Sequence, residues 1–167
     1  NTIERTWKMN IKAVNLVYFS PTRTTKRVLE GIAQGIQVET IKHLDLSPPD
    51  ASVNELGSMD NELTIIGAPV YGGRIPMEAV RRFQQLRAND TPAVVVVVYG
   101  NREYEDALLE LRNLAKEAGF APVAGGAFIG EHSFANENTP IAIGRPDKDD
   151  LNKARNFGKL ILKKLCD

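Results

Sequence analysis

The chain has 167 residues, 43% of them hydrophobic and 25% charged, which is the make-up of one globular domain rather than two. Lysine plus arginine number 21, and so do aspartate plus glutamate; a zero balance argues against a generic nucleic-acid binder or a polybasic membrane-surface protein. A single cysteine, Cys166, and two separated histidines, His43 and His132, argue against a disulfide framework, an iron–sulfur cluster and a zinc site.

No apolar run approaches the ~20 residues of a membrane span, and Asn1 to Asn10 has no signal-peptide core. The expectation is a cytoplasmic protein with neither membrane nor nucleic acid as partner. Residues 1–10 read as a polar leader, with Met9 an alternative start, and 11–167 as a single domain.

Ala13 to Phe19 is a short apolar run, the mark of a strand buried on both faces of a parallel sheet. Thr22 to Ile36 carries apolar residues at helical spacing: Val28, Leu29, Ile32, Ala33 and Ile36. Val38 to Leu44 reads as an outer strand. Ser47-Pro48-Pro49 breaks the chain, and a loop with a short helix runs on to Met59. Leu63 to Ala68 is a second buried strand. Pro76 to Leu86 follows as a helix with proline in its first turn. Ala93 to Tyr99 contains five consecutive valines, the clearest strand in the chain. Glu103 to Ala118 is a helix closed by Gly119. Pro122 to Ile129 is a last, glycine-rich strand. Asp147 to Leu165 is a helix with acids at its start and lysines near its end, which suits the helix dipole. Strand–helix alternation of this kind predicts an α/β fold, a three-layer doubly wound sheet.

Ligands of such sheets bind beyond the carboxyl ends of the strands. Three segments lie there. The first is Ser20-Pro21-Thr22-Arg23-Thr24-Thr25-Lys26, with four hydroxyls in six residues between a strand and a helix. Loop N–H groups and the helix N-terminus offer donors to a phosphate, and the hydroxyls add neutral ones. A helix cap by Ser20 or Thr22 accounts for one hydroxyl, not four. The second segment, Pro69-Val70-Tyr71-Gly72-Gly73, has paired glycines that permit positive φ and close ligand approach. The third runs Gly100-Asn101-Arg102-Glu103-Tyr104. Glu131-His132-Ser133 follows the last strand, where the histidine is either a site group or a structural one.

No Gly-Lys-Ser/Thr ending closes residues 20–26, so a P-loop nucleotide site is excluded. No G-x-G-x-x-G follows the first strand, and no cysteine stands in its loop. Ala68-Pro69 ends the second buried strand where a phospho-receiver domain needs an acid. No serine–histidine–acid set converges on the strand ends.

Ser20-x-Thr22-x-x-Thr25 resembles the phosphate loop of flavodoxins, written (S/T)-x-T-G-x-T. The resemblance extends from Ile11 to Leu165. It is closer still to the flavodoxin half of EFR1-type ferredoxins, through Tyr18 to Lys26, Pro69 to Pro76, Tyr99 to Leu108, Glu131 to Ser133 and Gly144 to Asp147. It implies the flavodoxin-like five-stranded parallel sheet of order 2-1-3-4-5. It also implies an FMN electron carrier, its flavin cycling through a semiquinone, with a redox protein partner of ferredoxin type. Ser20, Thr22, Thr24 and Thr25 then hold the 5′-phosphate in the loop that includes Pro21. Pro69, Val70, Tyr71, Gly72 and Gly73 flank the ring. Gly100, Asn101 and Arg102 meet its pyrimidine edge, and Tyr104 either stacks on it or packs on the sheet. The family's loop glycine is Arg23 here, which is either strained or reaches the phosphate. Arg23, Arg74 and Arg102 lead one to expect a positive site. The cysteines of the companion ferredoxin domain are absent from this sequence. An NAD(P)H-dependent FMN quinone or nitro reductase, and a flavin-free interaction module, are the alternatives.

Overall fold

A computed structural model describes residues 6–53, 62–132 and 135–167. Five strands and four helices alternate along it: β1 (Ala13–Tyr18), α1 (Thr24–Ile36), β2 (Thr40–Asp45), β3 (Leu63–Pro69), α2 (Met77–Phe83), β4 (Thr91–Tyr99), α3 (Ala107–Glu117), β5 (Phe120–Ile129) and α4 (Lys148–Cys166). All pairings are parallel and the strand order is β2-β1-β3-β4-β5, as the resemblance implied.

Every residue of β1 and β3 is buried, because helices cover both faces. Alternate side chains feed two cores. Val14, Leu16 and Tyr18 of β1 and Val94, Val96 and Val98 of β4 pack with α1 and α4. Val17, Phe19, Val95 and Val97 pack with α2 and α3 on the other face. Trp7, Met9 and Ile11 lie against the α1–α4 core, and the Met9 N–H donates to the Leu165 carbonyl at 2.8 Å. The loop with a short helix expected up to Met59 falls largely on 54–61, outside the described residues.

Several boundaries differ from expectation for local reasons. Gln37, at φ 60°, caps α1 in the left-handed conformation, so β2 begins at Thr40 rather than Val38. Pro76 precedes α2, and its carbonyl accepts the Val80 N–H at 3.0 Å. Beyond Phe83 the bonds of α2 shorten to i→i−3, Gln85 to Arg82 and Leu86 to Phe83, and the helix ends. Glu105, at φ 41°, cannot join a right-handed helix, so α3 starts at Ala107, not Glu103. Glycine-rich β5 is an edge strand and mostly half-buried.

The register sets Tyr18 beside both Asp45 and Gly67, Pro69 beside Val98, and Tyr99 beside Ile129. The loops after β1, β3, β4 and β5 therefore leave the sheet at one edge.

Candidate functional site

At that edge the loop after β1 wraps into the N-terminus of α1. Ser20 is held at three atoms. Its N–H donates to the Ser47 hydroxyl at 2.8 Å, its carbonyl accepts the Arg23 N–H at 3.0 Å, and its hydroxyl accepts the Lys26 N–H at 3.1 Å. It is the residue that ties the loop to the first turn, a capping role. The Thr22 and Thr24 hydroxyls lie 3.2 Å apart and share one hydrogen bond, which leaves one proton of the two to spare. Thr25 is fully buried, and its hydroxyl has no partner. The N–H groups of Thr24 and Thr25 stand in the first turn, where the helix supplies no acceptor.

Arg23 takes the left-handed conformation, φ 65° and ψ 2°, that a glycine adopts without strain. It caps α1 without a side-chain hydrogen bond, and its side chain is exposed.

One cavity of about 640 Å³ joins these loops. Thr22 and Thr24 line one end, and Pro69, Val70, Tyr71, Gly72 and Gly73 one side. Val98, Tyr99, Gly100, Arg102, Glu103 and Glu105 line the other side, with Gly130, Glu131 and His132 beyond. This size is in the range of sites for small ligands and cofactors. Gly72 and Gly73 have φ of 57° and 74°, and the turn they make is closed by paired bonds between Tyr71 and Arg74, 2.9 and 3.2 Å long. The Glu105 carboxylate lies against Gly73 where a side chain would otherwise stand. The His132 ring lies against Gly100 in the same way. The Glu131 carboxylate accepts the Gly144 N–H at 2.9 Å, which ties the loop after β5 to the segment before α4.

The structure does not bring every sequence-selected residue to the cavity. Tyr104 is not in the lining; it stands edge-on to Tyr99 with ring centres 5.1 Å apart, and Tyr99, with Tyr71, is what lines the cavity. Ser20, Pro21, Arg23, Thr25 and Asn101 also stand outside the lining: Ser20 and Thr25 are buried beneath the loop, while Pro21, Arg23 and Asn101 are exposed. Ser133 lies outside the described residues.

The expected positive charge is not there. Arg74 points away and pairs with both oxygens of Glu110, at 2.9 and 3.1 Å. That guanidinium, with the Ile75 N–H, holds the Glu110 carboxyl below its ordinary pKa. Arg102 is the one arginine in the lining, against three carboxylates, those of Glu103, Glu105 and Glu131. Glu103, Glu105 and Glu131 were visible in the sequence on the loops after β4 and β5, where acids next to Arg102 can offset its charge; the bond from Ser47 to Ser20 was not, because it joins residues 27 positions apart in the chain.

The fold has close counterparts among solved structures. A flavodoxin from the domain Archaea superposes with a TM-score of 0.58 at 17% identity, covering 92% of this chain and 98% of that one. Flavodoxin 1 from Bacillus cereus gives 0.62 at 20% identity, with 90% and 97% covered. The fold is that of flavodoxins. It also matches rubredoxin oxygen:oxidoreductase from Desulfovibrio gigas, with a TM-score of 0.64 at 14% identity, over 95% of this chain but 37% of that protein. No family model matches the chain, and no curated protein matches it. Among the described residues no helix is long and apolar enough to cross a membrane, and no cluster of three or more histidine, cysteine or acidic side chains is set to hold a metal.

Proposed function

We propose that this flavodoxin-fold chain binds FMN non-covalently in the cavity and serves as an electron carrier. The carrying observation is the buried Thr25 hydroxyl without a partner, at the first turn of α1. A buried polar group left unpaired costs about 1–3 kcal/mol, and a phosphate at this helix end would meet that need. The donor set fits the group: neutral hydroxyls of Thr22, Thr24 and Thr25, and first-turn N–H groups.

FMN, when bound, supplies the redox chemistry. The chain's own residues bind and orient it. The loop 20–25 takes the phosphate, the Tyr71-Gly72-Gly73 turn and Tyr99 wall the ring, and Gly100 to Arg102 supply edge contacts. Its partner would be a redox protein, of ferredoxin type by the EFR1-type resemblance.

A second reading, an NAD(P)H-dependent FMN reductase, gains from one observation. Two shielding tyrosines argue against room for a nicotinamide, and Tyr104 stands outside the cavity while Tyr71 is 43% exposed. The test is the absorbance spectrum and a calorimetric titration with FMN. Saturable one-to-one binding is expected, and no heat and no flavin spectrum after reconstitution would refute the reading. NADPH with a quinone then separates the two: steady turnover marks a reductase, and its absence a carrier.

A further inference from the structure

We propose that Ser47 is a positioning residue that sets the phosphate loop, so that it governs affinity for the phosphate and not for the isoalloxazine ring. The proposal rests on the FMN reading above. Ser47 follows β2, the strand beside β1, and reaches the loop across 27 residues of sequence.

Its hydroxyl accepts the Ser20 N–H at 2.8 Å, at the peptide where the chain leaves β1 for the loop. Ser47 is itself fixed at its backbone. Its N–H donates to the Asp45 carboxylate at 2.8 Å. Its carbonyl accepts from Arg82 of α2, also at 2.8 Å. The same Arg82 nitrogen faces the carbonyls of Leu46 and Pro48 on either side, the latter at 2.6 Å. Glu78 steadies the guanidinium at 2.7 and 3.1 Å, and its central carbon stands 5.5 Å from the centre of the Phe19 ring. Phe19 is the residue before Ser20. The Leu46 N–H closes the brace on the Tyr18 carbonyl at 2.8 Å.

The consequence is chemical as well as mechanical. With its N–H taken by Ser47, Ser20 does not offer that donor to an anion, and the donors that face one begin at Thr22. A loop held by one sturdy bond from a neighbouring strand keeps those donors aimed before a ligand arrives, and preorganised donors bind more tightly than donors that must first be ordered. The Ser47 hydroxyl keeps its own proton after accepting from Ser20, and among the described residues no acceptor takes it, so it adds a donor beside the loop.

Ser47→Ala removes the acceptor and leaves the Ser20 N–H unpaired. The experiment titrates wild type, Ser47→Ala and Ser47→Thr with FMN and with riboflavin by calorimetry. Wild type binds both, FMN more tightly. Ser47→Ala is expected to weaken FMN about tenfold, the loss of one well-made hydrogen bond, and to leave riboflavin within about twofold, since riboflavin lacks the phosphate. Ser47→Thr keeps the oxygen and restores FMN binding. If Ser47→Ala binds FMN as wild type does, or loses FMN and riboflavin equally, the positioning role is refuted while the FMN reading stands. If wild type binds neither flavin, both fall. A thermal-shift series with inorganic phosphate checks the loop without the ring: phosphate should raise the melting temperature of wild type more than that of Ser47→Ala, and equal shifts would count against Ser47.

Discussion

Replacing Arg23 by glycine tests whether the loop of this chain carries backbone strain. Arg23 sits at φ 65° and ψ 2°, on the left-handed side of the map. For a residue with a β-carbon that conformation costs about 1–2 kcal/mol. Glycine pays no such cost in the fold, but it gives up about 0.5–1 kcal/mol through the extra freedom of its unfolded chain. The cation at the N-terminus of α1 is also repelled by the helix dipole, so removing it acts in the same direction. The net expectation is a gain of about 0.5–1 kcal/mol. In a domain of this size that raises the melting temperature by about 1–4 °C.

The assay is calorimetric or circular-dichroism melting of the FMN-free protein, with Gln37→Gly as control. Gln37 caps the other end of the same helix at φ 60° and ψ 43°, and the same arithmetic applies to it. If Gln37→Gly stabilises and Arg23→Gly destabilises, the strain argument fails at the loop, and the Arg23 side chain holds something worth more than the strain. FMN affinity is read on the same samples. A melting temperature that rises while FMN binding weakens would mean that the guanidinium serves the phosphate at a cost to the fold.

Thr25→Val keeps the shape of a buried side chain and removes its unpartnered hydroxyl; FMN-free protein should be as stable as wild type or more so, by about 1 kcal/mol, while FMN binding weakens about tenfold in titration. Asp150 has its pKa held low, first by its hydrogen bonds to Arg145, then by the Asp147 N–H and the Arg145 charge. A depressed carboxyl contributes stability above the unfolded value of about 3.9 that is lost as pH falls through its folded value, so Asp150→Asn should flatten the acid limb of a melting-temperature profile below about pH 4. Tyr18 is pushed up to about 12 by burial, then by the charges of Asp45 and Glu30. Its unfolded form ionises first, so stability falls as pH rises from about 10 toward that value, and Tyr18→Phe should remove this alkaline loss.

The sheet and its four helices were legible because hydrophobic periodicity reports burial directly. Runs such as Leu63 to Ala68 stand between helices on both faces, and no other placement buries both sides. The three loops at the carboxyl edge were legible for the same reason, since strand ends fix where loops emerge. Side-chain roles within them were less so. The period of α3 runs on into Glu103 and hides the left-handed Glu105 that stops the helix. Beside that break Tyr104 sets its ring edge-on to Tyr99 rather than in the cavity lining, and the Glu105 carboxylate lies on Gly73. Arg74 looked like a site cation until Glu110 of α3, 36 residues on, claimed it. A charge read from sequence has a position along the chain but no partner, and the partner decides its field.

Half of the six described non-glycine residues at positive φ, Arg23, Asn101 and Glu105, lie on the loops that build the cavity walls, and the others, Gln37, Asp90 and Ala142, lie elsewhere. Left-handed residues away from glycine persist when surrounding structure over-determines them, and here the determinants are visible: the Ser20 bonds to Ser47 and Lys26 beside Arg23, and the seating of Glu105 on Gly73. Keeping them beside an unpartnered buried hydroxyl and a set of three carboxylates places strain, unmet hydrogen bonding and like charge along one edge of the sheet. Each of these costs the protein stability, and of the three only the unmet hydrogen bond is one that an anion at the loop would relieve. The carboxylates add a further constraint, because they disfavour any occupant that gains negative charge near them. On the FMN proposal, the phosphate then belongs at the threonine loop, and the three carboxylates make the rest of the lining unfavourable for added negative charge.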